Sequence, residues 1–260
     1  MRLGHLMVPS AENGIGRYST GFLQELAEQV EGGTLYLVST PIGHRADLSP
    51  RSLAVLQAAD VVAAEDTRHT GTLLATLGAS RSLVSYHEHN KEAATARLLK
   101  NLEEGRSVAL VSDAGTPGLS DPGYVLVRAA VGAGHPVVAI PGPSALLVAL
   151  VVSGLPTDAF TFVGFLPSRR GRRRQTLAAL AELPHTLVFY ESPHRIAATL
   201  ADMAQVYGDR WAAVCRELTK KYEEIRRDRL SALAEFYETS GARGEFTVVV
   251  AGAAFNGTLQ

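Results

Sequence analysis

The residues best suited to chemistry lie in a loop of glycine, proline and small polar residues at positions 112–123. Its twelve residues include three Gly, two Pro, two Asp, two Ser and one Thr. This composition permits unusual backbone dihedrals and exposes main-chain N–H and C=O groups to a ligand, whereas a plain connection needs only a handful of residues. The segment lacks both the GxxxxGK[ST] and the GxGxxG pattern. It therefore predicts a ligand-binding loop that is neither a Walker nor a Rossmann phosphate loop.

Three further polar or turn-forming segments follow predicted strands. The segments 40–43 (TPIG) and 141–144 (PGPS) combine proline with glycine, which suits either a tight turn or close approach of a ligand to the main chain. In the segment 65–70 (EDTRHT), Asp66 is suited to cap the next helix, and with Arg68 it is also suited to hold a phosphate or a ribose. In open α/β sheets the ligand sits outside the carboxyl ends of the strands, which favours these loops as the site.

Metal and thiol chemistry find little support in the sequence. The segment 87–90 (HEHN) alternates potential metal ligands, but no third ligand is evident nearby, so we predict no metal site. Cys215 is the single cysteine and lies in an apolar run, which favours an inert core thiol. One cysteine also excludes an intrachain disulfide and fits a reducing compartment, so we expect a cytoplasmic protein.

Positive charge is concentrated at one place in the chain. The formal net charge is −1, so no global field draws the protein to nucleic acid. Within 169–174, five of the six residues are arginine: Arg169, Arg170, Arg172, Arg173 and Arg174. A run of charge is usually a solvated face, but arginines without a neighbouring acid favour contact with the phosphates of RNA.

Length and composition indicate a globular protein of one large or two ordinary domains. Of the 260 residues, 46% are apolar and 20% are charged, which excludes a disordered chain and is too mixed for a collagen or coiled-coil rod. The longest apolar stretch, 145–152, is too short to span a bilayer.

From residue 34 onward, short runs of Val, Ile and Leu alternate with stretches of helical period, which is typical of an α/β fold with buried, mostly parallel strands. In a first block we predict strands at 35–39, 61–64, 83–86, 108–112 and 137–140, and helices at 50–58, 71–77, 91–104, 122–133 and 144–152. In a second block we predict strands at 160–165, 187–190, 212–217 and 246–250, another at 222–227, and helices at 173–182, 193–207 and 232–239. Asn90 and Asp121 are the predicted N-caps of two of the helices.

The pattern is interrupted at 153–158, where we place a domain boundary. It separates an N-terminal α/β domain, 34–153, from a C-terminal α/β domain, 158–252, followed by a tail, 253–260. Residues 1–33 form an extension unlike the rest, with a short amphipathic helix predicted within 19–30; Gly14-Ile15-Gly16 follows no strand and is not a phosphate loop. Two α/β domains leave a cleft between them, which is a frequent place for a small-molecule site.

Long, ordered motifs then connect the chain to a known family. They are TLYLVSTPIG (34–43), AEDTRHTG (64–71), YHEHN (86–90), LVSDAGTP (110–117), SDPGY (120–124), IPGPS (140–144), GFLP (164–167), FYESPHR (189–195), RELTK (216–220) and GEF (244–246). On these motifs the chain resembles the tetrapyrrole-methylase superfamily of S-adenosylmethionine-dependent enzymes, and more narrowly the RsmI family, the ribosomal RNA small subunit methyltransferases I. The EDTR and SDAGTP motifs separate it from the porphyrin-modifying relatives.

The resemblance implies a fold, a cofactor and a reaction. The fold would be two α/β domains of the tetrapyrrole-methylase type, with S-adenosylmethionine in the interdomain cleft, held mainly by main chain. The reaction would be 2′-O-methylation of a cytidine ribose in small-subunit (16S) ribosomal RNA, carried out by a homodimer. Transferred position by position, the cofactor contacts are Pro41, Ala114, Gly115, Thr116, Leu119, Ser144, Ala145, Glu191 and Leu218. The first seven lie in or directly beside the loops described above.

A ribose hydroxyl is a poor nucleophile, so a general base or a polarising cation should assist the transfer. Side chains suited to this by type and position are Asp66, Arg68, His87, Asp113, Glu217 and Lys220. We favour Asp66 and Arg68, since their loop has more polar side chains than a turn requires, and include Lys220 as a third catalytic candidate.

Two alternatives remain open at this point. One is a methyltransferase acting on a tetrapyrrole or another small molecule, against which the arginine run argues. The other is a non-catalytic RNA-binding assembly module. The chain departs from the family by having His44 where asparagine is usual, and by ending at Gln260 where many members carry a further helical segment; if that segment holds RNA, affinity is expected to be lower.

Overall fold

The structure is a computed structural model that describes residues 19–259. Contacts divide the chain into two compact units between Ser144 and Ala145, and each unit carries its own five-stranded sheet with helices. Two α/β domains are the predicted fold class, which is confirmed. Within residues 19–259 no helix is long and apolar enough to span a membrane.

The first unit is a parallel sheet with helices between its strands. Its elements are α1 (Thr20–Ala27), β1 (Leu35–Val38), a 3₁₀ helix (Arg45–Asp47), α2 (Pro50–Ala58), β2 (Val61–Ala64), α3 (Thr67–Thr76), β3 (Ser82–Ser85), α4 (Lys91–Glu103), β4 (Val108–Val111), α5 (Gly123–Gly132) and β5 (Val137–Ile140). The strand order is β3-β2-β4-β1-β5, and all four pairings are parallel. The carboxyl ends of all five strands therefore lie at one edge.

The three central strands, β1, β2 and β4, are buried on both faces of the sheet, which explains their unbroken apolar runs. Leu35 and Val61 belong to the core on one face, while their neighbours Tyr36 and Val62 belong to the core on the other. The helix expected within 19–30 is present as α1, begins after its N-cap Ser19 and packs against α2. Gly14-Ile15-Gly16 lies outside the described residues.

The second unit has a mixed sheet. Its elements are α6 (Ala145–Val152), β6 (Phe160–Phe165), α7 (Arg170–Leu180), β7 (Thr186–Glu191), α8 (Ile196–Tyr207), β8 (Trp211–Arg216), β9 (Glu224–Arg229), α9 (Leu230–Ser240) and β10 (Phe246–Val250). The order is β6-β7-β10-β8-β9, in which β6 and β7 are parallel and the other three pairings are antiparallel. The prediction of mostly parallel strands is wrong for this unit, because the short connection from β8 to β9 cannot contain the crossover that parallel strands require.

The division between the units falls ahead of the boundary predicted at 153–158. Helix α6 contacts β7 and β10 of the second sheet, and it buries Leu146, Ala149 and Leu150. An apolar helix joins the core that covers it, so α6 belongs to the second unit although it follows β5 directly in the chain.

Of the two predicted N-caps, Asn90 is at the N-cap position of α4 without a capping hydrogen bond, and Asp121 precedes the N-cap of α5 by one residue. Helix α5 begins at Gly123 after Pro122, and the Asp121 carboxylate accepts hydrogen bonds from the N–H groups of Gly118 and Gly123. The Asn90 side chain makes no cap to α4; its Oδ1 accepts from His87 N–H and its Nδ2 donates to the Ser85 carbonyl. Asp121 therefore stabilises both its own loop and the first residue of α5, whereas the Asn90 side chain stabilises only the loop before α4.

Candidate functional site

Two of the predicted ligand loops in the first unit are hydrogen-bonded to each other. The loop after β1 meets the loop after β4, because Thr40 and Gly115 exchange main-chain hydrogen bonds of 2.9 and 3.1 Å. The Thr40 hydroxyl also donates to the Ser112 carbonyl at 3.2 Å. Pro41, a predicted cofactor contact, directly follows this contact.

The Thr116 hydroxyl extends the link to a third loop, the one after β5. Its Oγ1 donates to the Pro143 carbonyl at 3.1 Å and lies 3.0 Å from the Ser39 hydroxyl. Gly142 is required there, since a Cβ on it would stand 2.7 Å from the Ser39 Cβ. The segments 39–41, 112–116 and 142–144 therefore form one connected surface, which we call the three-loop platform.

Gly115 sits at the centre of the platform in a conformation that other residues rarely adopt. Its φ is +86°, and a Cβ would lie 3.4 Å from the Ile42 side chain. The position therefore favours glycine, whose buried main chain is paired with that of Thr40. Ala114 and Leu119 of the same loop are exposed.

Ser144 has an unsatisfied hydroxyl at the end of the platform. The residue is only 5% exposed, and its Oγ has no hydrogen-bond partner among the residues that the structure describes. Buried hydroxyls without partners are uncommon in folded proteins. A polar group of a ligand would satisfy this one.

Glu65 is a functional candidate that sequence reasoning did not select. It follows β2, and its carboxylate is hydrogen-bonded by the main-chain N–H of Asp113, directly before Ala114 of the platform. The Asp113 carboxylate in turn accepts from Asp66 N–H at 2.9 Å. Burial raises the pKa of Glu65, and the charges of Asp113 and Asp121 add to this against the Asp113 hydrogen bond and His87. A side chain directly after four fully buried strand residues was the available signal.

Asp66 and Arg68 form an ion pair with each other at the start of α3. Asp66 caps α3 by accepting from the N–H groups of Arg68 and His69, so the helix-cap interpretation is confirmed. Its Oδ2 lies 3.0 Å from Arg68 Nη2. Hydrogen bonds from the Arg68 side chain and main chain lower the pKa of Asp66 to about 2, which makes it a weak base. The Arg68 side chain is 91% exposed.

In the second unit the predicted contact Glu191 is buried and fully occupied. Its carboxylate accepts hydrogen bonds from Arg195 at 2.8 and 2.9 Å, from the Thr199 hydroxyl at 2.7 Å and from Ser192 N–H at 2.7 Å. The side chain thus joins the end of β7 to α8. A ligand would have only its main chain available.

The loop after β8 holds Leu218 between two residues with positive φ, Glu217 at 51° and Thr219 at 64°. Lys220 Nζ fixes this loop, with hydrogen bonds of 2.9 Å to both Glu217 and Glu245. Burial acts to lower the pKa of Lys220, but the two carboxylates outweigh it and the pKa is raised. Lys220, the third catalytic candidate, is therefore a protonated lysine already paired with two acids.

The arginine run does have a neighbouring acid, contrary to expectation. Asp202 on α8 is buried and forms ion pairs with Arg170, Arg173 and Arg174, which are 32, 29 and 28 positions away in sequence. Arg173 is itself buried, so it is withdrawn from any surface contact. Arg169, Arg170 and Arg172 are exposed and Arg174 is partly exposed.

Cys215 and His87 lie outside the platform. Cys215 is buried, and burial raises the pKa of its thiol to about 12, which confirms an inert thiol. His87 has a buried Nδ1 without a partner among residues 19–259, and its ring lies 6.0 Å from that of His89. No group of three potential metal ligands is found in the described part of the chain.

Comparisons with known proteins converge on one family. Residues 34–234 match the family described as Tetrapyrrole (Corrin/Porphyrin) Methylases. The chain is 48% identical over 229 residues to a ribosomal RNA small subunit methyltransferase I from Halalkalibacterium halodurans, covering 88% of this chain and 79% of the relative. It is 53% identical over 227 residues to the protein of the same name from Micromonospora olivasterospora, covering 87% and 72%. Among solved structures, a uroporphyrin-III C-methyltransferase from Thermus thermophilus, complexed with S-adenosylhomocysteine, has the same fold at a TM-score of 0.61 and 22% identity, covering 84% of this chain and 97% of that one.

Proposed function

Because the chain belongs to the tetrapyrrole methylase family, as one of its ribosomal RNA small subunit methyltransferases I, we propose that it methylates the ribose 2′-oxygen of a cytidine in small-subunit ribosomal RNA, with S-adenosylmethionine as the methyl donor. The observation that carries this proposal is identity of about one half to those relatives over most of both chains. A cytoplasmic location accords with this substrate.

The three-loop platform fits an adenosyl cofactor. It offers an exposed small residue at Ala114 and, at Ser144, a buried hydroxyl that has no partner among residues 19–259. A ligand held by backbone groups needs both features: close approach and an unused donor or acceptor. The positions that the family resemblance assigns complete the proposed cofactor contacts: Pro41, Thr116, Leu119, Ala145, Glu191 and Leu218.

Bound S-adenosylmethionine supplies a methyl group on a sulfonium, which is already electrophilic. The protein must then hold the 2′-oxygen in line with the S–CH3 bond, and positioning of this kind can supply much of the rate. It must also take the hydroxyl proton. Glu65 is better suited to that role than Asp66, because its pKa is raised whereas the pKa of Asp66 is lowered to about 2. Its hydrogen bond to Asp113 N–H ties it to the loop that carries the platform.

Replacing Ser144 by alanine should separate cofactor binding from stability. The hydroxyl has no hydrogen-bond partner within residues 19–259, so we expect the free energy of unfolding to stay equal or rise. Loss of one hydrogen bond to the cofactor should raise its Kd about three- to tenfold. Isothermal titration with S-adenosylmethionine and denaturant unfolding measure the two quantities.

Ser153→Ala is the matched control, because that buried hydroxyl donates to the Leu150 carbonyl and accepts from Leu155 N–H. It should lose stability and keep the cofactor Kd. An unchanged Kd in S144A would remove Ser144 from the proposed site.

Exposed arginines of the 169–174 run are the proposed RNA contacts. Arg169 and Arg172 are exposed and make no side-chain hydrogen bond to another residue of the described range 19–259. Replacing both by alanine should weaken RNA binding and reduce the slope of log K against log salt by about 0.7–0.9 for each lost phosphate contact. A salt titration with a small-subunit RNA fragment measures this.

Arg97→Ala with Arg128→Ala is the control, since both residues are exposed arginines of the first unit. It removes the same charge at another place and should leave the salt slope near that of the original protein. Equal slopes for all three proteins would contradict the assignment.

We further propose that the protein is a homodimer. Leu147 and Val151 lie four residues apart on α6 and are 52% and 69% exposed, although the opposite side of this helix is buried. A helix that is apolar all round normally has both sides covered. Sedimentation equilibrium tests this, and L147E with V151E should yield monomers.

One experiment tests the reaction itself: incubation with methyl-labelled S-adenosylmethionine and small-subunit RNA, followed by location of the modified nucleotide. A label on a cytidine ribose supports the proposal. The description of the family as tetrapyrrole methylases makes a tetrapyrrole the second candidate substrate. Label transfer to a tetrapyrrole with none to RNA would replace the proposal by that one. Calorimetry without cofactor uptake would instead indicate a binding module.

A further inference from the structure

Asp202 gathers three arginines around a single buried carboxylate. Its Oδ2 accepts from Arg173 Nε at 2.9 Å and Nη2 at 2.6 Å. Its Oδ1 accepts from Arg170 Nε at 3.0 Å and pairs with Arg174 Nε at 3.4 Å. The side chain of Asp202 is 1% exposed, so this carboxylate is unavailable to any partner molecule.

The three arginines are not equivalent. Arg173 is 6% exposed and occupies one carboxylate oxygen with two donors, which is the arrangement of a structural ion pair. Arg174 is 33% exposed and Arg170 is 68% exposed, and both approach the other oxygen through Nε. Their Nη groups make no hydrogen bond to other residues of the described chain.

This arrangement exceeds what stability requires. The Arg173–Asp202 pair alone balances the buried charges, and two further guanidinium groups on Oδ1 add like-charge repulsion. The arginines also lie in the first turns of α7, where cations are unfavourable, and no side chain caps that helix among the residues described. Excess positive charge fixed at such a place is suited to an anion.

We infer that Asp202 is a positioning residue for RNA. It holds Arg170 and Arg174 by their Nε edges so that their Nη groups face outward together and bind the phosphate backbone of the RNA. Fixing these two side chains in advance reduces the conformational entropy that binding would otherwise cost. The inference rests on the proposed function, because it names the machinery that would hold the RNA substrate.

Asp202→Asn distinguishes positioning from simple charge. The change removes a negative charge beside the arginines, so charge alone predicts tighter RNA binding at low salt. Positioning predicts the opposite, because asparagine offers one neutral oxygen in place of two charged ones and cannot hold Arg173 together with Arg170 and Arg174. We expect the Kd for a small-subunit RNA fragment to rise about tenfold while the Kd for S-adenosylmethionine stays the same.

Glu238→Gln provides the control for charge. Glu238 is exposed on α9, and its replacement changes the net charge by the same amount. Its RNA Kd should be unchanged or slightly lower. A folded D202N protein that binds RNA as E238Q does would overturn the inference.

A second pair of variants covers the possibility that D202N fails to fold, since it leaves the buried Arg173 without its charged partner. Arg173→Met alone keeps Asp202 with Arg170 and Arg174, and it should retain RNA affinity despite the lost positive charge. Arg173→Met with Asp202→Val removes the buried pair at no change of net charge, and it should lose affinity about tenfold. Equal RNA affinity of the single and double variants would contradict the inference.

The proposed function fails separately. If the original protein binds the RNA fragment but transfers no methyl group to it, the proposed function is wrong. The RNA affinities of the variants then still test the role of Asp202. Methyl transfer by the original protein together with unaltered binding in D202N and in the double variant contradicts only the role of Asp202.

Discussion

Glu65→Gln is expected to slow methyl transfer about 10²- to 10⁴-fold, the range in which a general base contributes, while cofactor binding is retained. Glutamine keeps an oxygen for the Asp113 N–H and so preserves the loop, but it cannot take a proton. Single-turnover transfer of labelled methyl to RNA measures the rate, and calorimetry measures cofactor affinity.

The stability of this variant gives an independent check. Burial raises the pKa of Glu65 in the folded chain, so above that pKa the ionised carboxylate costs stability, and below the pKa of the unfolded chain the cost is absent. Glutamine removes the charge, and we expect the free energy of unfolding at pH 8 to be equal or higher. A variant that transfers methyl slowly but keeps its full stability has lost a catalytic group rather than a structural one.

The pH dependence should follow the same group. Transfer requires the carboxylate, so the rate should fall as the pH is lowered through the raised pKa of Glu65, and E65Q should lack this decline. Asp113, Asp121 and His87 lie near the group. Because Glu65 is the source of the decline, the decline should persist in His87→Gln. Asp66→Asn is the matched control, because asparagine still caps α3 and the transfer rate should change little. A rate for E65Q near that of D66N would exclude Glu65 as the base.

Glu191→Ala is expected to lower the free energy of unfolding of the second unit by about 3–5 kcal/mol, the usual cost of removing one partner from a buried ion pair. The change leaves Arg195, Thr199 and Ser192 N–H without their common acceptor. Trp211 is the single tryptophan and begins β8 of this unit, so its fluorescence in urea reports the transition.

Glu245→Ala supplies the comparison within the same unit. Its carboxylate pairs with Lys220 but is 75% exposed, and exposed pairs contribute about 0–1 kcal/mol. Similar losses in both variants would show that the buried position of Glu191 carries no special weight. A normal stability for E191A with a weakened cofactor Kd would restore the role that the family resemblance implies for this side chain.

The first unit could be predicted closely from the sequence because its architecture depends on local signals. Predicted strands 61–64 and 137–140 and helix 50–58 agree with β2, β5 and α2 residue for residue. Strands buried on both faces must be apolar throughout, and helices between them must follow in alternation. The positions of the ligand loops could be predicted for the same reason. Each of these loops follows a strand, and in a parallel sheet the strands all end at the carboxyl edge.

Contacts between residues that are distant in the sequence could not be predicted from local signals. The residues 169–174 contain no acid, and nothing in that segment indicates Asp202, which lies on the next helix of the same unit. Strand direction in the second sheet likewise depends on which strands meet β10. Glu65 escaped selection because its neighbour Asp66 has the residue type and position of a helix cap, whereas the environment that raises the pKa of Glu65 comes from residues about 50 positions away.

The Thr116 hydroxyl has a consequence for how the protein tolerates change. It connects Ser39 and Pro143, which are 77 and 27 positions away, so the conformations of three segments that are remote along the chain depend on one another. The effects of substitutions in different segments should not be additive, since a change in one segment alters the contacts of the other two. Redesign toward another donor molecule would therefore have to vary all three segments in the same library, because one-at-a-time screening would discard partners that succeed only in combination.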